Sequence, residues 1–393
     1  MKVCAIISEF NPFHNGHKYL VDEIKKQGFT HVIAIMSGNF VQRGEPAIVS
    51  KETRTKSALL NGIDLVIEIP TVKVLNSAEK YACSAIEIAE KLGCIDSIFF
   101  GSECGKIETL YKIIDIMESK EFKKIFKKYI SFGNSFPKSE YLALKEFTNN
   151  EDLINSLKNP NNILGIEYIK ALKKLKSSIK PITIKRNDKF LSSSEIRNLI
   201  LNKDSKYKNY VPTSSAKLLE CEIKSGFSPA TLENVEKPLL YSLKTVSLKD
   251  ILKISDVSEG LENRILSCAL ESFSVNELLE KIKTKRYTMA RIKRILILIF
   301  LKITKNMQNK KTPYIKIIGT NKKGLEILKK AKKTAKLPII SRHQEIKKLG
   351  EKAACFFEKE CVASEIYYFF TPNMQKNERE KSFKIIKGEE IDL

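Results

Sequence analysis

Tryptophan is absent from this 393-residue chain, histidine occurs only four times, and 46 acidic residues face 69 lysines and arginines. No stretch approaches the roughly 20 apolar residues that cross a bilayer. The longest run, Ile295 to Leu301, is seven residues and sits among lysines, so no membrane partner is expected. Lys2 and a short strand-like run open the sequence without a small-residue cleavage site. This reads as no signal peptide and a cytoplasmic protein. The eight cysteines (4, 83, 94, 104, 221, 268, 355 and 361) never form a Cys-x-x-Cys pair. Zinc needs paired ligands at short spacing, so no metal site is expected, and the thiols read as reduced packing residues. Internal repeats and low-complexity tracts are also missing.

The shortage of acid leaves a formal net charge of +23. A polyanionic partner explains such an excess, because each neutralised phosphate releases counterions. The other source is a lysine coat on solvated helix faces, as at Lys170, Lys173, Lys174 and Lys176. At 42% hydrophobic residues the chain can build proper cores, and its length accommodates two or three domains.

Two of the scarce histidines lie close together. Residues 8–17 read Ser-Glu-Phe-Asn-Pro-Phe-His-Asn-Gly-His, directly after the apolar run Val3 to Ile7. A buried strand ending in a Pro/Asn/Gly turn, then a helix with apolar Leu20, Val21 and Ile24, suits a nucleotide triphosphate. Gly16 permits close backbone approach, and a helix start offers free N–H groups and a positive dipole end to phosphates. His14 and His17 can donate to charge that develops during phosphoryl chemistry. Two histidines in an ordinary surface turn, or a core histidine beside a cap, is the competing reading.

The first hundred residues alternate short apolar runs (Val3–Ser8, His31–Met36, Asp64–Ile69, Ser97–Phe100) with amphipathic stretches (His17–Lys26, Lys51–Leu60, Ser77–Leu92). That rhythm predicts βαβ units and a Rossmann-like parallel sheet, with ligands at the carboxyl ends of the strands. The His-x-Gly-His turn, the loop 37–50 and Gly101-Ser102-Glu103 all follow strands and share that edge. Residues 106–158 read as a helical insertion. Asn159-Pro160 starts a helix over 163–175, and Pro181–Arg186 returns as a strand. Ser192 and Glu195 are spaced as a capping box. An α/β domain of residues 1–205 is expected, with 206–213 as a linker. The rest, to 393, reads as a mainly helical basic region with a small α/β segment near 314–340 and a frayed end from Asn377.

The His-x-Gly-His turn resembles the signature of the nucleotidylyltransferase superfamily, and Ser192-Ser193-Ser194-Glu195-Ile196-Arg197 is similar to its second, serine-and-arginine motif. Serine hydroxyls, helix N–H groups and an arginine suit a β/γ-phosphate clamp. Longer blocks narrow the resemblance. Glu9–His17, Ser37-Gly38-Asn39-Phe40-Val41-Gln42-Arg43-Gly44-Glu45-Pro46-Ala47, Asp64–Pro70 and Phe99–Glu103 resemble the bacterial tRNA(Met) cytidine acetate ligase family. Asn161–Gly165 and Lys285-Arg286-Tyr287-Thr288 fit it too.

This resemblance implies an ATP- and acetate-activating domain that forms acetyl-adenylate and pyrophosphate. It further implies transfer of the acetyl group to N4 of the wobble cytidine of elongator tRNA(Met). It places ATP binding on Ile7, Ser8, Glu9, Phe10, Asn11, Pro12, Phe13, His14, Asn15, Gly16, His17, Lys18, Tyr19 and Leu20. Gly101, Asn161 or Asn162, Arg186, Ser193, Ser194 and Arg197 complete the set. His14 and His17 are the expected catalytic groups, and Lys18, Arg186 and Arg197 are candidates to neutralise pyrophosphate with Mg²⁺ bridging oxygens.

For tRNA, the candidates are Lys283, Lys285, Arg286, Tyr287, Arg291 and Arg294, where phosphates meet cations and a base stacks on the tyrosine. Arg43, Lys51 and Arg54 near the sheet edge are open to either ligand, and the turn Gly319-Thr320-Asn321-Lys322-Lys323-Gly324 is a weaker phosphate candidate. Two rival functions stand beside this one. One is an adenylyltransferase that leaves AMP on a small phosphorylated substrate, and the other is an RNA-binding protein with a vestigial nucleotide fold.

Overall fold

The computed structural model describes residues 1–258, 260–374 and 385–391. The expected frayed end from Asn377 falls largely outside them. Strands β1 (Val3–Ser8), β2 (His31–Ser37), β3 (Leu65–Ile69) and β4 (Ser97–Ser102) are mainly apolar and almost wholly buried because both faces of the sheet are covered. β1 pairs in parallel with both β2 and β4, β3 continues beyond β2, and β5 (Lys180–Lys185) pairs with β4. The chain thus winds outward from β1 in one direction and then returns to its other side. The gap above β1 and β4 is the switch point where such sheets bind ligands.

The α/β segment expected in the second region joins this same sheet. β6 (Ile315–Thr320) lies antiparallel against β3, with Val66 opposite Gly319, and β7 (Ile339–Ile340) and β8 (Ile386–Lys387) pair in parallel with β6. The division at residue 205 therefore does not bound the sheet. A Cβ on Gly319 would lie 2.4 Å from Thr55 Cγ2, so a bare backbone is needed where β6 passes helix α2 (Lys51–Leu60). The linker expected at 206–213 is instead a 3₁₀ stretch, Ser205–Tyr210, pinned by buried Tyr207.

Four helices between Ile107 and Ser156 form the insertion. They pack onto the sheet core together with α3 (Ala78–Leu92) and α4 (Pro160–Leu175). A second core unites the helices from Glu236 to Phe300 with the long helix Glu351–Tyr367, and Phe40 and Leu75 of the first half enter it. The loop after β2 is a short ribbon, Phe40–Val41 against Glu45–Pro46. Gly44 lies against the first half of α5 (Met289–Phe300), where a Cβ would come within 2.2 Å of the Arg294 backbone nitrogen.

Candidate active site

Helix α1 (Asn15–Lys26) begins two residues earlier than the sequence pattern suggests, because His14 itself is the N-cap. Its Nδ1 accepts the Gly16 amide at 3.0 Å, and the His14 amide donates to His17 Nδ1 at 3.2 Å. The imidazoles therefore form a capping box, which ordinarily takes a serine or threonine and a glutamate. A Cβ on Gly16 would stand 2.8 Å from His14 Cε1, so Gly16 makes room for the ring. The two rings lie 3.9 Å apart between centroids.

This arrangement decides the tautomers. A nitrogen that accepts an amide hydrogen carries no proton of its own, so each neutral ring holds its hydrogen on Nε2. Burial pushes the His14 pKa down to about 3, helped by the charges of Arg186 and Arg197. Burial also drives His17 well below the ordinary value, with His14 and Arg186 adding to it. Both rings are neutral hydrogen-bond donors. His14 Nε2 lies 2.9 Å from Ser193 Oγ, while His17 Nε2 has no partner among the described residues.

Ser193 opens the short helix Ser193–Leu201, whose N-cap Ser192 makes the expected box with Glu195. Two turns of sequence far apart are thereby joined. Arg197 of this helix donates to Asn11 O at 2.9 Å and to Ser194 Oγ at 3.0 Å, tying the serine motif to the histidine turn a second time.

A cleft opens over this junction, lined by Ser8, His14, Gly16, His17, Gly101, Asn161 and Arg186 among others, and enclosing about 740 Å³, part of it open to solvent. Ile7, Tyr19 and Leu20 also face it. The Arg186 guanidinium has no hydrogen-bond partner among the described residues, whereas its backbone amide is held by Ser102 O at 2.9 Å. A Cβ on Gly101 would meet Arg186 Cγ at 3.3 Å, so this glycine keeps the arginine close to the strand.

Asn161 and Asn162 separate cleanly. Asn161 lines the cleft and donates to Glu103 Oε1 at 2.7 Å. Asn162 is fully buried, accepts the amides of Glu103 and Cys104, and donates to Ser156 O. It is a loop clamp.

Other expected nucleotide contacts are engaged by partners within the protein. Phe10 and Phe13 are buried against each other at 4.9 Å, and Asn11 Oδ1 accepts the Ile48 amide, so the middle of the turn anchors the fold. Phe10 needs a left-handed φ of 45° to make that bend. Pro12 is buried with them, Asn15 donates to Asn209 O, and Lys18 pairs with Asp22. Glu9 accepts the Gln42 amide at 2.7 Å. None of these, nor Ser193, Ser194 or Arg197, is among the cleft-lining residues.

The cleft has walls that were not anticipated: Phe100, Leu164, Tyr168, Ile184, Lys185, Asn187 and Phe190. Positions 161, 164 and 168 share one face of α4, so helical periodicity from Asn161 points to two of them.

The basic segment near 283–294 divides. Lys283 and Lys285 are exposed and Arg286 is half-buried. Tyr287 belongs to the second core, so it does not offer a face to a base. Arg291 stacks over that ring at 5.2 Å and donates to Asp256 O and Ser258 Oγ. Arg294 is buried against Asp256 at 3.0 Å, because the 40–46 ribbon covers it. Lys51 and Arg54 are likewise internal. Lys51 pairs with Glu68 at 2.8 Å, and Arg54 donates to the carbonyls of Glu9, Ser37, Gly38 and Val49. Arg43 is exposed. The amides of the turn at 319–324 already have partners, since Asn321 Oδ1 accepts the Gly324 amide and the Lys322 amide donates to Glu389.

No Asp or Glu lines the cleft, and among the described residues no three metal-ligating side chains come together. The donor set does not fit a protein-held Mg²⁺.

The model of the family described as HIGH Nucleotidyl Transferase matches residues 1–382. The chain is 41% identical to a tRNA(Met) cytidine acetate ligase of Caldanaerobacter subterraneus subsp. tengcongensis, covering 98% of this chain and 100% of that one. It is 44% identical to the same-named protein of Caldicellulosiruptor saccharolyticus over 86% of each. In structure it is similar to Thermotoga maritima TmcAL bound with alpha-thio ATP. That match has a TM-score of 0.91 and 33% identity over 98% of this chain and 100% of the other.

Proposed function

The chain belongs to the tRNA(Met) cytidine acetate ligase family of HIGH nucleotidyl transferases, and from that premise we propose that it activates acetate with ATP and acetylates N4 of the wobble cytidine of elongator tRNA(Met). The observation that carries the reading is the union of the two phosphate motifs through His14 and Ser193 beside a cleft that holds Arg186.

Acetate is a weak nucleophile. The protein has to hold its carboxylate in line with the α-phosphate and spread the charge that grows on the phosphoryl oxygens. His17 Nε2–H is the free donor for that task, and the neutral state of the ring makes it a donor at every working pH. His14 orients it through the cap and carries Ser193. Arg186 has an unoccupied guanidinium for the departing pyrophosphate, and Arg197 holds the serine helix against the turn. No nucleophilic side chain is required, since the mixed anhydride is itself the activated acyl group.

In this reading ATP arrives with its own Mg²⁺ on the phosphates, and no step is assigned to a protein-held metal. Lys283, Lys285 and Arg286 are the proposed tRNA contacts, and the cytosol is the compartment that supplies all three substrates. The adenylyltransferase alternative is separated by product: it gives a stable dinucleotide, whereas the acetate ligase releases AMP and pyrophosphate. Incubation with labelled ATP and acetate, with and without tRNA(Met) transcript, decides between them. Label retained as an AMP adduct of a phosphorylated small molecule would overturn the acetate-ligase reading.

A further inference from the structure

The insertion between β4 and α4 carries a charge pattern that the cleft does not use. Its helix Lys120–Ser131 holds Lys120, Lys123, Lys124, Lys127 and Lys128 against a single acid, Glu121. Spacings of three and four residues put all five lysines on one face, and all five are exposed. Like charges at that spacing disfavour a helix, and lysines near its start oppose the dipole. The helix is held by its other face. Phe122 is buried in the sheet core, and Ile125, Phe126 and Tyr129 pack against that core.

Little inside the protein neutralises this row. Lys128 pairs with Glu146 at 2.9 Å, and Lys123 donates to the Glu118 carbonyl at 2.8 Å. Lys120, Lys124 and Lys127 have no hydrogen-bond or ion partner among the described residues. The nearby carboxylates of Asp115 and Glu118 go to Lys173 of α4, at 3.2 and 3.6 Å. The insertion thus meets the helix whose Asn161, Leu164 and Tyr168 line the cleft. Lys158, three residues before Asn161, lies over the Tyr141 ring of the insertion at 5.4 Å. A second lysine-rich helix, Lys322–Thr334, lies at the other edge of the sheet. There Lys323 donates to Thr30 O and the Thr334 hydroxyl to Leu92 O, residues that precede β2 and β4. Ligands bind at the carboxyl edge, so of these two helices only the one in the insertion packs beside an element of the cleft.

We propose that the lysine face of helix Lys120–Ser131 is a docking surface for the phosphate backbone of the tRNA, with Lys120, Lys124 and Lys127 as its principal contacts. The surface rests on the acetate-ligase reading, which supplies the tRNA, and adds to the contacts at Lys283, Lys285 and Arg286. Ammonium groups repeated along a helix suit a phosphodiester chain, whose bound counterions they release. The row's own repulsion is relieved by the same anions. Phe132 and Phe136 at the end of the helix are 62% and 58% exposed, and such rings are stacking platforms for unpaired bases. A bilayer is the poorer partner, because the apolar face that would enter it is already packed on the core.

The test compares two triple variants of equal charge change by their affinity for tRNA(Met) transcript over a range of salt. In Lys120→Glu/Lys124→Glu/Lys127→Glu, Kd should rise roughly tenfold or more, and the salt slope should fall by about two to three. Acetate-dependent exchange of labelled pyrophosphate into ATP should stay within about twofold of wild type, since the ATP site is untouched. In Lys329→Glu/Lys332→Glu/Lys333→Glu, on the helix at the other edge, Kd should move by less than about threefold. Equal weakening by both triples would overturn the surface, because net charge alone would then explain it. Unchanged affinity in the insertion triple would overturn it too. So would wild-type binding to phosphatidylglycerol vesicles that the insertion triple loses while keeping its tRNA affinity. Should the glutamate triple lose exchange through misfolding, the corresponding alanine triple decides by the same change in slope. Affinity is read whether or not acetylation occurs. Wild-type protein that never acetylates cytidine therefore contradicts the acetate-ligase reading, while the binding measurements still decide the surface.

Discussion

His14 Nε2 lies 2.9 Å from Ser193 Oγ, a contact between residues 179 positions apart. It closes the distance between the turn after β1 and the helix that follows β5. Removing the hydroxyl leaves a buried N–H without a partner, which costs about 1–3 kcal/mol. Ser193→Ala should therefore lower thermal stability and raise the KM for ATP in pyrophosphate exchange. Ser194→Ala frees only one nitrogen of Arg197 and should do markedly less. Equal effects of the two substitutions would show that the His14 contact has no special place.

The protonation of the histidines can be read directly. Burial and two neighbouring guanidinium groups disfavour the His14 cation, so a proton binds only near pH 3 rather than at the ordinary 6.5. In ¹⁵N-imidazole spectra, the His14 and His17 rings should still be neutral Nε2–H tautomers at about pH 5, where a solvated histidine is charged. A titration near 6.5 for either ring would contradict the donor assignment.

Gly16→Ala tests the room left for the ring. Its Cβ would meet His14 Cε1 at 2.8 Å and Nδ1 at 3.0 Å, displacing the imidazole from its cap. Alanine suits a helix better than glycine by about 1 kcal/mol, so stability should change little while acetylation falls by roughly a hundredfold, about 2.7 kcal/mol of barrier. Wild-type activity in this variant would mean that the imidazole position is not critical.

The two halves of the basic segment should respond differently. Arg294→Met breaks a buried pair with Asp256 and should cost ~3 kcal/mol, the low end for such pairs because Asp256 keeps some water. Chemical denaturation measures it. Lys285→Ala should leave stability unchanged and lower the salt slope of tRNA binding by about one. If Arg294→Met instead leaves stability intact and weakens RNA binding alone, Arg294 is an RNA contact after all.

Much of the site was legible in the sequence because it depends on local chemistry. A strand, a glycine turn and a helix start at 3–26, and a capping box at 192–195, are specified within a few residues. What escaped depends on partners far away in the chain. Arg294 and Tyr287 look like RNA ligands until the 40–46 ribbon and the second core bury them. Nothing local distinguishes Asn161 from Asn162, since one faces a cleft and the other a loop folded from Glu103 and Cys104. β6 joins the sheet antiparallel from some 250 residues beyond β3, a pairing that neither strand's composition announces. The neutral state of the histidines follows only once burial and the two amide donors are known.

The most direct test incubates the protein with ATP, labelled acetate and tRNA(Met) transcript, then digests the RNA to nucleosides. The expected result is label in N4-acetylcytidine, dependent on ATP, absent from a transcript with uridine at the wobble position, and lost with His17→Ala while tRNA affinity is kept. Folded protein that leaves the wobble cytidine unlabelled would contradict it.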